Sequence, residues 1–215
     1  GTGAANLLVM VFCDNDPSMP VTARRPTVYR TAWSSNEGAT WSATTAVTPP
    51  LSTTAGCAGF IYDATRACLI EDGASNVQVF YSSVFLMQAP SIWQVPCNAF
   101  GGAPGTPSEI VPAVTIGQRT DTQCFGVGPS VLRLRTYEYA LYYTGTNFSE
   151  GQIHFLTSPT ALPGTWSNDR MIYQTPANSV PCGFGGIAPV RKYQDGVELI
   201  HQFSCQPRSI FHYGV

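Results

Sequence analysis

An all-β domain made of repeated antiparallel units is the architecture the sequence predicts, on three observations. Twenty glycines and 17 prolines, with many Ser and Thr, punctuate short runs of Val, Ile, Tyr and Phe, the composition of strands joined by turns. No window sustains a 3.6-residue apolar period, so no amphipathic helix is expected. Similar strand-like runs also return in the same order at intervals of about 50 to 65 residues, as repeat architectures do.

The repeat can be followed along the chain. Cys57, Cys124 and Cys182 each open a Gly-rich apolar run, "CAGFIYD", "CFGVGPSV" and "CGFGGIAPV", expected as the first strand of a unit. A second strand follows in "RACLIED", "EYALYYTG" and "VELIHQFS", and "LLVMVFC" near the N-terminus has the same character. Third strands are read in "PTVYRTAWSS", "NVQVFYSS", "GQIHFLTSP" and "SIFHYGV", and Trp41, Trp93 and Trp166 each begin a fourth. Fourteen strands result, in groups of three, four, four and three. The expected organisation is a single domain over 1–215, with units at about 1–50, 51–97, 120–176 and 180–215. Four-stranded antiparallel blades repeated radially make a β-propeller. About three and a half blades are visible, so the chain reads as an incomplete propeller, to which the same parent protein or a neighbouring subunit would add further blades.

Two units share a corner between their third and fourth strands: "EGATWS" at 37–42 and "LPGTWS" at 162–167. Gly38 and Gly164 permit a positive φ in the turn, and the Trp returns the chain to the sheet, with Trp41, Trp93 and Trp166 each expected to pack between sheets. Asn36, Gly38, Thr40, Trp41, Gly164 and Trp166 are therefore read as structural turn residues. "SSNEGATW" resembles the Asp-box of sialidases and related propellers, Ser-x-Asp-x-Gly-x-Thr-Trp, with Asn36 where the Asp usually stands. Asn can still bond its own turn backbone. The box lies on blade rims in that family, so the resemblance implies a fold and not a chemistry. Residues 124–175 are similar to one blade of the five-bladed furanosidase-type glycosidases, through the Pro-containing first strand, "YYTG" and "TSPTALPGTW".

Composition excludes several functions. One lysine and ten arginines against 13 acidic residues give a net charge of -2, which leaves no basic footprint for nucleic acid. No run of 18 apolar residues is present, so no membrane-spanning helix is expected. The seven cysteines form no C-x-x-C pair, which favours disulfides over zinc. Cys182 with Cys205 is the first expected bridge, followed by Cys57 with Cys68 or Cys97 with Cys124. Asn147 begins the glycosylation sequon Asn-Phe-Ser. Bridges and sequon together point to a secreted or cell-surface glycoprotein.

Candidate chemistry is sparse. The furanosidase resemblance implies carboxylates on first strands facing a central funnel, and hydrolysis needs two. Six residues beyond the strand-opening cysteines stand Asp63, Ser130 and Ala188, so Asp63 is the one catalytic candidate and it lacks a partner. Asp14 and Asp16 offer oxygen ligands to calcium, but no glycine and distal glutamate complete a loop. A turn near Gln206 and Pro207 would set His201 opposite His212, without a third metal ligand. No cofactor is expected.

These readings favour a non-catalytic extracellular module, either glycan-binding, with "NAFGG" and "NFSEG" as contact loops, or structural and adhesive. A glycoside hydrolase with the rest of its site outside this chain, and a protein-interaction scaffold, are the alternatives. Glycans or extracellular proteins would be the partners.

Overall fold

The computed structural model describes residues 7–15, 27–47, 67–83, 91–112, 127–135, 138–146, 151–174, 187–192, 196–201 and 209–214. Every regular element among them is a β-strand. β1 (Leu8–Asn15), β2 (Thr27–Ser34) and β3 (Thr45–Ala46) form the first sheet. The second comprises β4 (Ala67–Glu71), β5 (Val77–Ser83), β6 (Ser91–Cys97) and β7 (Ser108–Val111). The third comprises β8 (Val127–Arg135), β9 (Glu138–Thr146), β10 (Gly151–Ser158) and β11 (Ser167–Gln174). β12 (Ile187–Lys192), β13 (Gly196–His201) and β14 (Ser209–Gly214) make the fourth. Each sheet is an antiparallel meander in which sequence neighbours are spatial neighbours.

The second and third sheets bury both faces. In β5, Val77 through Ser82 are all buried, and in β9 so are Tyr139 through Tyr143. Alternation along a strand sends successive side chains to opposite faces. Val77, Val79 and Tyr81 accordingly pack with Tyr29, Val47, Val9 and Val11 of the first sheet. Phe80 turns the other way, into a cluster with Val131, Leu141, Tyr143 and Leu156 of the third. The far face of the third sheet carries Leu134, Ala140, Tyr142, Ile153 and Phe155. Full burial of one such side chain is worth about 1.5–3 kcal/mol, so face-to-face stacking of the sheets supplies the main cohesion.

The sheets approach one another most closely at their early strands. β1 lies against β4, β4 and β5 against β8, and β8 against β12. The outermost strands β7 and β11 make no comparable approach to a neighbouring sheet.

Four expectations need correction. Trp93 does not begin a fourth strand: it lies inside β6, opposite Tyr81 of β5 and Glu109 of β7. "RACLIED" and "NVQVFYSS" therefore supply β4 and β5, the first two strands of a complete four-stranded sheet. "CAGFIYD" lies outside the described residues. Trp41, expected to pack between sheets, is 41% exposed. The two histidines do not face each other either, since the register pairs His201 with Ser209 and His212 with Glu198.

The disulfide expectation is also overturned. Cys68 and Cys97 are both free thiols, and no disulfide is present among the described residues. Cys68 packs into the apolar cluster toward the third sheet and Cys97 into the cluster toward the first. Both act as small apolar side chains, and burial pushes the Cys68 thiol up to about 12 and the Cys97 thiol up to about 11. Cys57, Cys124, Cys182 and Cys205 lie outside the described residues.

Candidate functional site

The corners between third and fourth strands hold most of the ordered polar structure. In the first sheet, Ser34 Oγ donates to Asn36 Oδ1 at 2.8 Å and accepts from the Gly38 amide at 2.9 Å. Asn36 Oδ1 accepts from the Thr40 amide at 2.9 Å, while its Nδ2 donates to Thr40 Oγ1 at 2.8 Å. Glu37 and Gly38 take φ values of 58° and 87°, the left-handed pair that closes so short a turn. Asn36 thus makes the turn's amide contact with a neutral side chain.

Two other corners solve the same problem with different residues. After β6, Asn98 Oδ1 accepts from the Phe100 and Gly102 amides at 3.0 and 2.9 Å. After β10, Ser158 Oγ accepts from the Ala161 amide at 2.8 Å and lies 2.6 Å from Thr165 Oγ1. Sequence reasoning missed the corner after β6, although "APGTPS" at 103–108 parallels "LPGTWS" at 162–167. Pro107 stands there in place of Trp166.

Each of the two later corners docks on the strand that leads into the corner of the preceding sheet, β2 or β6. Thr31 Oγ1 of β2 donates to the Gly101 carbonyl at 2.5 Å, and Phe100 packs on Trp33 with ring centroids 5.1 Å apart. One sheet further on, Gln94 of β6 donates from Nε2 to the Ala161 carbonyl at 2.6 Å. Trp166 meets Phe80 edge-on at 5.6 Å and donates its indole N–H to Gln94 Oε1 at 2.9 Å.

Gln94 belongs to a longer buried chain. Its Nε2 also donates to Gln78 Oε1 at 2.7 Å, and Gln78 Nε2 donates to Asp72 Oδ2 at 2.8 Å. Asp72 Oδ1 closes the 72–76 turn by accepting from the Ala74 and Asn76 amides at 2.8 and 3.0 Å. Burying polar groups is tolerated when every member is paired, and these three side chains are. Their capacity is spent on joining two sheets.

A second polar cluster crosses three strands of the third sheet. Tyr143 Oη of β9 donates to Asp169 Oδ2 of β11 at 2.8 Å. His154 Nδ1 of β10 lies 3.2 Å from Asp169 Oδ1, and its ring stacks on Tyr143 at 5.1 Å. Partial burial alone would raise the Asp169 carboxyl, but hydrogen bonds from His154 and Tyr143, with the His154 charge, hold it below the usual range. The cluster lies on the outer half of the sheet, where a register shift between Ile153 and His154 breaks the regular pairing with β11. Chemically it is a carboxylate with both oxygens occupied, tying β11 to β9.

Asp63, Asp16 and Asn147 lie outside the described residues; Asp14 is in β1 and Ser130 in β8. Among the described residues no group of three or more His, Cys, Asp or Glu could hold a metal ion. No helix among them is long and apolar enough to cross a membrane. No protein-family model matches the chain, and no curated protein matches it in sequence. The expected carbohydrate-binding and glycoprotein character thus has no support from similarity.

Proposed function

We propose that the chain is a non-catalytic β-propeller module whose role is architectural: a fan of radially set sheets. The observation that carries this reading is the succession of close approaches, β1 to β4, β4 to β8 and β8 to β12, while the outermost strands β7 and β11 make no comparable approach. Sheets converging on one side and splaying on the other form wedges, and wedges stack around an axis. The backward docking of successive corners through Thr31 and Gln94 supports it, because a constant neighbour relation is what a radial repeat requires.

Where the polar side chains go supports a structural role. Gln94 is consumed in joining sheets, Asp72 and Gln78 in bracing it within the second sheet, and Asp169 in joining strands. Ordinary glycoside hydrolysis needs two carboxylates across the scissile bond, and six residues beyond Cys124 and Cys182 the first strands β8 and β12 carry Ser130 and Ala188 instead.

Pairs of spin labels test the arrangement. Labels at Glu109 and Arg170, on the exposed outer strands β7 and β11, should lie well beyond the roughly 10 Å separation of two flat stacked sheets. Labels at Glu71 and Arg133, on β4 and β8, should be much closer. Equal separations would mean a flat sandwich and refute the fan. Turnover of a furanoside, pyranoside or sialoside by the purified chain, abolished by Asp63→Asn, would refute the non-catalytic role.

A further inference from the structure

Tyr143, His154, Asp169 and Met171 meet on one face of the third sheet. Ile153 and Phe155, the neighbours of His154 in β10, pack into the far cluster with Ile172 and Tyr173. Alternation turns His154 the other way, to the side that Tyr143 takes in β9. The register sets Tyr143 opposite His154 across one strand pair and Met171 opposite it across the next. Side chains directly opposite on paired strands stand about 4.5–5.5 Å apart at Cβ, so the Met171 thioether is within reach of the imidazole. Asp169, two residues before Met171, joins the patch with one carboxylate oxygen at His154 and the other at Tyr143. Met171 is 49% exposed and belongs to none of the apolar clusters, so core packing does not account for it.

An imidazole, a carboxylate, a phenol and a thioether are thereby gathered at a site open to solvent, with 13% of the His154 side chain and 49% of the Asp169 side chain exposed. His154 Nδ1 and Asp169 Oδ1 are 3.2 Å apart. Two metal bonds of about 2.0–2.2 Å meeting at roughly 100° span that distance. An ion therefore enters between the two atoms with little movement once Nδ1 carries no proton. Asp169 is held below the usual carboxylate range and is ionised at neutral pH. Tyr143 keeps its hydrogen bond to Oδ2, the outer support that ligating carboxylates need. The thioether selects the metal: imidazole and carboxylate alone suit several divalent ions, whereas a methionine beside them suits copper.

We infer that His154, Asp169 and Met171 form a binding site for one copper(II) ion, with imidazole and carboxylate as the close ligands, the thioether as a longer one and water completing the shell.

Copper(II) added to the full chain after its accessible thiols are alkylated tests the inference. A His201→Asn, His212→Asn background leaves His154 as the one histidine. Equilibrium dialysis should find one equivalent bound, and electron paramagnetic resonance a tetragonal ion with a single imidazole nitrogen. His154→Ala should remove the nitrogen signal, and Tyr143→Phe, which strips only the outer support, should weaken binding about tenfold. X-ray absorption at the copper edge should show one sulfur neighbour that Met171→Leu removes. Met171 is exposed on an outer strand, so that variant keeps the fold and decides the matter even where His154→Ala does not fold. Wild-type protein without a saturable site overturns the inference. So does a nitrogen signal that survives His154→Ala, or a copper spectrum that lacks sulfur or keeps it in Met171→Leu.

Discussion

Replacing Gln94 by alanine removes one side chain and deprives three groups of their partners: the Trp166 indole N–H, the Ala161 carbonyl and Gln78 Oε1. Gln94 and Ala161 are fully buried and Gln78 nearly so, at 1%. A buried polar group left unpaired costs about 1–3 kcal/mol. Trp166 is only partly buried, so its N–H can turn to water at small cost. Two stranded acceptors remain, and the expected destabilisation is about 3–4 kcal/mol. For a domain of this size that corresponds to a fall in Tm of roughly 10 °C. Urea unfolding followed by tryptophan fluorescence measures it, with an unchanged m value showing that the unfolding reaction is the same. Trp166→Phe keeps an aromatic edge for Phe80 and loses only the N–H. In a double-mutant cycle with Gln94→Ala it should couple by about 0.5 kcal/mol or more. A Gln94→Ala loss below about 1 kcal/mol, on the scale of an ordinary surface change, would refute the idea that this chain of amides joins the sheets.

Gly101→Ala should destabilise more than Gly164→Ala, although their φ values of 72° and 78° are alike. The added methyl meets Val9 Cγ1 at 2.8 Å and Thr31 Cβ at 3.2 Å in the first case and nothing within 4 Å in the second. Left-handed strain of about 1–2 kcal/mol is common to both, and crowding adds about 1–3 kcal/mol at Gly101; parallel denaturation curves would show it, and equal losses would count against tight docking. Asp169 titrates below its unfolded value, so its contribution is present above pH 4 or so and fades as pH falls through the lowered pKa. The stability gap between wild type and Asp169→Asn should shrink on acidification, and a gap that widens would contradict the assignment. Without reductant, denatured protein should be alkylated at both Cys68 and Cys97, while the native thiols, raised to about 12 and about 11, react slowly; peptide mapping that finds either in a bridge would overturn the free-thiol assignment.

The strands were legible because their signal is local. "EYALYYTG" and "GQIHFLTSP" read as strands from β-branched and aromatic content, and the structure places β9 and β10 there. The third group, from "GPSV" to the strand after Trp166, matches the sheet observed there, whereas the second sheet starts at "RACLIED" and gains Ser108–Val111, which lies beyond the expected unit. The second sheet was harder, because Trp93 imitates the landmark that Trp166 provides. Its true corner carries Pro107 in that place, and only the surrounding Pro-Gly-Thr signals it. The polar links were not legible. Gln94 finds Ala161 across 67 residues and Trp166 across 72, and no local spacing encodes a contact between sheets. His154 and Asp169 escaped notice for a related reason: their meeting depends on a shifted register between β10 and β11, which period-2 alternation does not foretell. The cysteine pairs were read from proximity in sequence, whereas the two described thiols, Cys68 and Cys97, each fill an apolar cluster, on opposite sides of their sheet.

The two-sided burial of β5 and β9 bears on how the molecule could be taken apart. A repeat that sheltered its own apolar side chains could be excised, shuffled or expressed singly. Here the third sheet alone would expose Leu141 and Tyr143 on one side and Tyr142 and Phe155 on the other, a strip of greasy surface in both directions. A lone sheet of that kind invites edge pairing and aggregation. The smallest autonomous piece is therefore larger than the unit that repeats, and cuts between units sever the very surfaces on which each depends.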